Sequence, residues 1–303
     1  AASTPRTIRT RRITRSWPVA TGSETGRPDI VYPMLGSQPS LRTIFERNEG
    51  RLIHKCEHYF DVYERHFSMF RGRSPRILEI GVFHGGSLDM WRSYFGRGTH
   101  LVGIDIDQRC ADLARGNIDI RIGDQSDREF LRSVVAEDGP FDIIIEDGSH
   151  LPEHQIIAFE ELWSAVKPGG VMLIEDLCTN YWPEYGGERG ADGMFMEYIK
   201  PLVDDLNALN SRSDDFTPTD FTRTCTGMHV YDSMVLFDRG THEPLATCLS
   251  GRPVFEATSL ITDEHSAKIA EMNRPVRRAR RVLRSPIQSA DTALRRARRR
   301  IGR

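Results

Sequence analysis

"FDIIIEDGSH", residues 141–150, decides how this chain folds. Ile143, Ile144 and Ile145 put apolar side chains on both faces of an extended segment. A strand that is apolar on both faces belongs inside a parallel sheet covered by helices on either side. The run then meets Glu146 and Asp147, and Gly148 lets the chain turn sharply before Ser149 and His150. Ionisable groups are costly at a buried strand end unless they are paired or bind a metal. The stretch is therefore either an ordinary solvated strand end or part of a site.

The same rhythm extends in both directions. Upstream, 76–82, 99–107 and 118–124 read as strands, with helical patterns at 86–95, 108–115 and 126–137. Ser126 with Glu129 three residues on has the form of a capping box. Downstream, 152–166 reads as a helix with Pro152 in its first turn, and 169–176 as the fifth strand. Alternating strands and helices predict an α/β fold of the Rossmann-like, doubly wound kind with right-handed connections. After Asp176 comes a loop rich in aromatics and glycines, then a helix near 194–210. Residues 227–240 read as two strands turning near Asp232 and Ser233. The expected architecture is seven-stranded and mostly parallel, with a C-terminal antiparallel hairpin. Residues 41–70 are read as helical, with Phe45, Leu52, Tyr59, Tyr63, Phe67 and Phe70 as apolar positions.

Charge divides the chain. Residues 274–303 hold twelve arginines against one acid, and residues 1–30 hold six against two. The net charge of −2 therefore leaves about −17 on residues 31–273. An acidic body between basic ends disfavours nucleic acid as the principal partner. The expected organisation is a flexible leader over 1–40, which could wrap a neighbouring subunit, a catalytic domain over 41–260, and an arginine-rich tail over 261–303. Val276, Ala279, Leu283, Ile287, Ala290, Leu294, Ala297 and Ile301 recur at helical spacing, so the tail could form an amphipathic helix, broken near Pro286. Weak contact with an anionic membrane, packing on another subunit in a homo-oligomer, and disorder all stay open for it. The five cysteines are scattered and form no CxxC pair, which argues against a disulfide framework or zinc site and for a cytoplasmic setting. No stretch approaches the roughly 20 apolar residues of a membrane span.

Ligands of open parallel sheets sit beyond the carboxyl ends of the strands. There the first loop offers Gly81, for close backbone approach, and Gly85 and Ser87 at the start of the next helix. The second strand ends in Asp105, in the place of an acid that holds ribose hydroxyls, and the third in Asp124 and Gln125, facing an adenine edge. The loop spacing is G-x-x-x-G-G rather than a dinucleotide fingerprint, and alone it is only a glycine turn. With Glu79, Asp105 and Asp124 at successive strand ends, the set looks like the nucleoside site of a class I S-adenosylmethionine-dependent methyltransferase.

The fourth and fifth strands, expected to be neighbours, end in Asp147 and in Glu175 and Asp176. Three carboxylates brought together raise one another's pKa, and a hard divalent cation such as Mg2+ relieves the repulsion. His150 follows on the same loop and suits the general base for a substrate hydroxyl. Taken singly, each of these residues is more simply a solvated strand end or a structural histidine. His154 is the lesser candidate for the base, on a helix expected to face solvent. A lysine in the place of the ion would count against the metal site and the enzyme with it.

The segments "LEIGVFHGGSLDMW", "GIDID", "GDQSD", "IIEDGSH", "VKPGGVMLIEDL", "YWPEYGG" and "HVYDSMVLFDRG" resemble the metal-dependent sugar O-methyltransferases of natural-product biosynthesis, the mycinamicin- and tylosin-type macrolide and rhamnosyl enzymes. The resemblance covers roughly residues 40–240. It implies methyl transfer from S-adenosylmethionine to a hydroxyl of a sugar or glycoside, with Mg2+ on Asp147, Glu175 and Asp176 and His150 as base. It also implies that Tyr181 and Trp182 line the acceptor side, and that His58, Tyr59 and Tyr63 lie near the cofactor mouth. Relatives that methylate a carboxylate or amine, or that hydroxylate, share much of the pattern, and a non-catalytic assembly protein is the reading of another class. The chain departs from the mycinamicin pattern in its arginine-rich tail and in showing no long N-terminal auxiliary domain.

Overall fold

The computed structural model describes residues 38–211 and 216–248, with residues 250, 252, 267, 268 and 271. Contacts divide the chain into two units, Ala1–Leu245 and Ala246–Arg303. The leader up to residue 37, the expected boundary at 260/261 and the helical pattern over 276–301 lie outside the described residues.

Seven strands form one sheet: β1 (Arg76–Ile80), β2 (His100–Asp105), β3 (Ile118–Ile122), β4 (Phe141–Glu146), β5 (Val166–Ile174), β6 (Cys225–Tyr231) and β7 (Met234–Arg239). Their order is β3-β2-β1-β4-β5-β7-β6. The first five are parallel; β7 runs antiparallel to β5, and β6 antiparallel to β7. The opening stretch behaves as its composition demands. Ile143 and Ile145 pack into the core on one face, with Trp91, Tyr63 and Phe67, and Ile144 into the core on the other, with Phe159 and Leu162. All three isoleucines are fully buried. Strand order reverses between β1 and β4, so their loops diverge and leave a crevice.

Helices cover both faces: α1 (Leu41–Glu46), α2 (Tyr59–Phe67) and α3 (Gly86–Phe95) on one, α4 (Arg128–Asp138) and α5 (Pro152–Leu162) on the other. Short α6 (Phe195–Tyr198), α7 (Lys200–Leu206) and α8 (Asp220–Thr224) follow β5. No helix among the described residues is long and apolar enough to cross a membrane.

Several local readings need correction. Residues 41–70 are not one helix: the chain between α1 and α2 has no regular secondary structure, and Leu52 is 56% exposed rather than core. Residues Gln108–Leu113 form a 3-10 helix. The N-cap of α4 is Asp127, whose carboxylate accepts from the amides of Glu129 and Phe130, while the Ser126 amide is held by Asp124. A carboxylate matches the positive end of a helix better than a hydroxyl does.

Gly81 is where sequence and packing meet most tightly. Its φ is +95°, and a Cβ there would stand 2.0 Å from the carbonyl oxygen of Asp147. Gly81→Ala combines backbone strain with a forced separation of the β1 and β4 loops. We expect a loss of about 2–4 kcal/mol, read as a lowered thermal midpoint; an unchanged midpoint would contradict this packing.

Candidate functional site

The crevice holds two hollows that share Gly81, Asp105 and Gly148. The larger, about 560 Å³, is lined by Leu52–Lys55, by Gly81–His84 and Ser87, and by Asp147, His150 and Asp176 among others. The smaller, about 210 Å³, is lined by Asp124, Gln125, Ser149 and His154. Together they run along the carboxyl ends of β1 to β5, within the size range of small-molecule sites.

The nucleoside-side residues divide into those that face the hollows and those that build them. Gly81, Ser87 and Asp105 line the larger hollow. Asp105 is already engaged: its Oδ2 accepts from the amides of Val82 and Phe83, which ties the glycine loop to β2. Gly85 lines neither hollow; it caps α3 in a left-handed conformation. Gln125 bridges two loops, donating to Glu146 Oε1 at 2.8 Å and accepting from the Ser149 amide at 2.7 Å, so its polar atoms are spent on structure. Asp124 lines the smaller hollow, its carboxyl held below the usual range by the Ser126 amide. Glu79 corrects the expectation most clearly. It is fully buried, bonded to Ser87 Oγ and Trp91 Nε1, and lines neither hollow. Burial raises its pKa, against the opposing charge of Lys55.

At the other end, one ligand atom each from Asp147, His150 and Asp176 lie within 4.8 Å of one another. The backbone holds this cluster in uncommon conformations: φ is +58° at His150 and +54° at Asp176. Thr179 Oγ1 donates to the His150 and Asp176 carbonyls and locks the two loops together. His150 Nε2 is 3.5 Å from Asp176 Oδ2, and its buried Nδ1 has no hydrogen-bond partner among the described residues. Tyr59 donates to Asp176 Oδ1 at 2.7 Å. Tyr59 and Tyr63 thus stand behind the acids, while His58 bonds the Asp232 carbonyl on the β6–β7 turn.

Glu175 departs from the expected metal set. It is fully buried, with Oε1 taken by Tyr63 at 2.7 Å and Oε2 by Lys55 at 2.9 Å. Lys55, which the sequence reading passed over, lies 2.5 Å from Asp147 Oδ2 and 3.7 Å from Glu79 Oε1. An ammonium thus sits between Asp147 and Glu175, where the sequence reading puts the ion. Burial alone would lower its pKa, but Asp147, Glu175 and Glu79 outweigh that and hold it well above the usual lysine range. Burial and the charge of Asp147 push Glu175 up to about 8, against Lys55. Lys55 rises because three acids face it, whereas Glu175 rises chiefly because it is buried. The lysine does not occupy the whole acidic cluster, since Asp147, His150 and Asp176 still converge on the larger hollow.

Tyr181 and Trp182 are 50% and 44% exposed and line neither hollow. Tyr185, unremarked in the sequence, links Trp182 to the site: its ring lies 5.9 Å from Trp182 and 6.4 Å from His150. His154 accepts or donates a 2.9 Å bond with Ser149 Oγ and faces the smaller hollow rather than solvent alone.

The sheet order is that of the α/β methyltransferase fold, and residues 78–177 match the family described as "Methyltransferase domain". Mycinamicin VI 2''-O-methyltransferase of Micromonospora griseorubida is 38% identical over 203 residues, 61% of this chain and 49% of that protein. Demethylmacrocin O-methyltransferase of Streptomyces fradiae is 37% identical over 197 residues, 61% and 49% respectively. The solved structure of MycE methyltransferase from the mycinamycin biosynthetic pathway, in complex with Mg, SAH and mycinamycin VI, matches with a TM-score of 0.63 at 30% identity, over 77% of this chain and 60% of that one. Over the matched region the chain is similar to these methyltransferases. It spans about half the length of the curated relatives it matches.

Proposed function

We propose that this protein transfers a methyl group from S-adenosylmethionine to a hydroxyl of a sugar or glycoside in an Mg2+-dependent reaction. The observation that carries this is the convergence of Asp147, His150 and Asp176 beside the Gly81 hollow. The donor set fits a hard cation, because Asp147 and Asp176 present carboxylate oxygens to an open cleft with room for a substrate oxygen. When bound, S-adenosylmethionine supplies an electrophilic methyl on a sulfonium, and Mg2+ acidifies a coordinated hydroxyl. His150 takes the hydroxyl proton on a ring nitrogen, and the freed oxygen forms its bond to the methyl carbon as the carbon–sulfur bond breaks. The electron pair of that bond stays on sulfur, so S-adenosylhomocysteine leaves. Gly81, Ser87, Asp105 and Asp124 bound the space for the methyl donor. Tyr181, Trp182 and Tyr185 offer aromatic faces to the acceptor at the rim. A small-molecule glycoside as partner, assembly as a homo-oligomer, a cytoplasmic setting and weak anionic-membrane contact through the tail belong to the same proposal.

The test is a set of free sugars, glycosylated polyketides and glycolipids with a labelled methyl donor. We expect S-adenosylhomocysteine to form in step with labelled glycoside, to stop with a chelator and to resume with Mg2+. Turnover indifferent to chelation, or no methylated glycoside from any acceptor class, would overturn the proposal.

A further inference from the structure

Lys55 is the group in the site that the reaction, as set out above, does not use. Its side chain is 2% exposed, and it reaches acids at three strand ends: Glu79 on β1, Asp147 beyond β4 and Glu175 beyond β5. One ammonium therefore serves three carboxylates, two of them fully buried. Unpaired, these acids would repel one another in a poorly solvated place. Lys55 gives them a cation without any ion from solution.

We propose that Lys55 is a tethered counter-cation that exchanges with Mg2+: in the ion-free protein its ammonium closes the acid cluster, and ion binding drives it away from Asp147 and Glu175. This rests on the metal-dependent reading above. Asp147 belongs to both sets: its Oδ2 bonds Lys55, and it converges with His150 and Asp176 on the hollow. An ion held by Asp147 and Asp176 would stand close to the ammonium, and like charges repel strongly where water is excluded. The acids are the fixed members. The Asp147 amide bonds the Ile80 carbonyl, and the Glu175 amide bonds the Glu146 carbonyl, so both backbones continue the sheet. The lysine is the mobile member. It sits on the irregular stretch between α1 and α2, on a flexible four-carbon stem. It also lines the larger hollow, which gives its ammonium a way out. Its departure would free Glu175 Oε2 to join the ion, which reconciles the buried Glu175 with a three-carboxylate set. Because Leu52, Ile53 and His54 line the same hollow, the exchange would act on the wall of the methyl-donor space.

Two measurements on the full chain decide the matter. In calorimetry, Lys55→Met should bind Mg2+ about tenfold more tightly than wild type or better, because the internal competitor is gone. In the wild-type protein, brief acylation with an amine-reactive reagent, read by mass spectrometry, should modify Lys55 about fivefold faster at saturating Mg2+. Lys167 and Lys200, both away from the acid cluster, serve as internal references and should not change. A folded Lys55→Met that binds Mg2+ no more tightly overturns the exchange. Lys55 equally protected with and without Mg2+ overturns it as well, and that result decides alone if the variant does not fold. If neither wild type nor Lys55→Met takes up Mg2+, the metal-dependent reading fails and the exchange falls with it. Mg2+ uptake by wild type without tightening in the variant overturns the exchange alone.

Discussion

Asp147→Asn should leave a folded protein that has lost methyl transfer by about 10³-fold or more and no longer responds to Mg2+. Asp147 carries the largest share of the site because it is the one acid common to the Lys55 cluster and to the group facing the hollow. Asparagine keeps its size but removes the charge that a hard cation needs from an oxygen ligand. The fold should tolerate the change. Asp147 raises the pKa of both Glu79 and Glu175 through its charge, so removing that charge relieves repulsion among the buried acids. Lys55 keeps Glu175 at 2.9 Å. Thermal melting, Mg2+ calorimetry and methyl-transfer rate together make the check; full activity in Asp147→Asn would remove the metal assignment.

The second large effect is at His150. His150→Ala should slow turnover by roughly 10²–10⁴-fold, the usual contribution of a positioned general base, while binding of the methyl donor stays near normal. Its ring stands beside Asp176 at the open end of the cluster, with the buried Nδ1 unpartnered among the described residues. Gly81, Ser87, Asp105 and Asp124, which bound the methyl-donor space, come from other loops, although Gly148 and His150 line the larger hollow as well. The expected signature is a fall in kcat with little change in donor affinity by calorimetry. A comparable loss of donor affinity would mean that His150 shapes the donor site instead, and His154 would then be the next base to test.

Much of the fold was legible because it rests on short-range regularities. Three consecutive isoleucines in a short run bounded by turn residues suit a strand with a core on each face, and they divide between the two cores. Pro152 begins α5 as its fixed φ predisposes it to. The capping box failed for an equally local reason, since Asp127 offered a stronger acceptor one residue along. The site was legible in outline only. Strand-end acids announce themselves in order, but which way each turns depends on partners far along the chain. Lys55 is 92 residues from Asp147 and 120 from Glu175. Tyr59 is 117 residues from Asp176. No local pattern marks such pairs.

What the sequence determined by itself is the layered α/β sheet, the end of it that carries the ligands and the supply of acids and histidine placed there. Apolar periodicity and turn residues are properties of neighbouring positions, and they suffice for that much. Tertiary structure alone decided which acids look into the cleft. Glu175 and Asp176 are adjacent in the chain, yet one is sealed against Lys55 and Tyr63 while the other turns, through a left-handed backbone, toward His150. That division follows from a buried ammonium brought in from a distant loop, because charges removed from water must find partners wherever the fold brings them together.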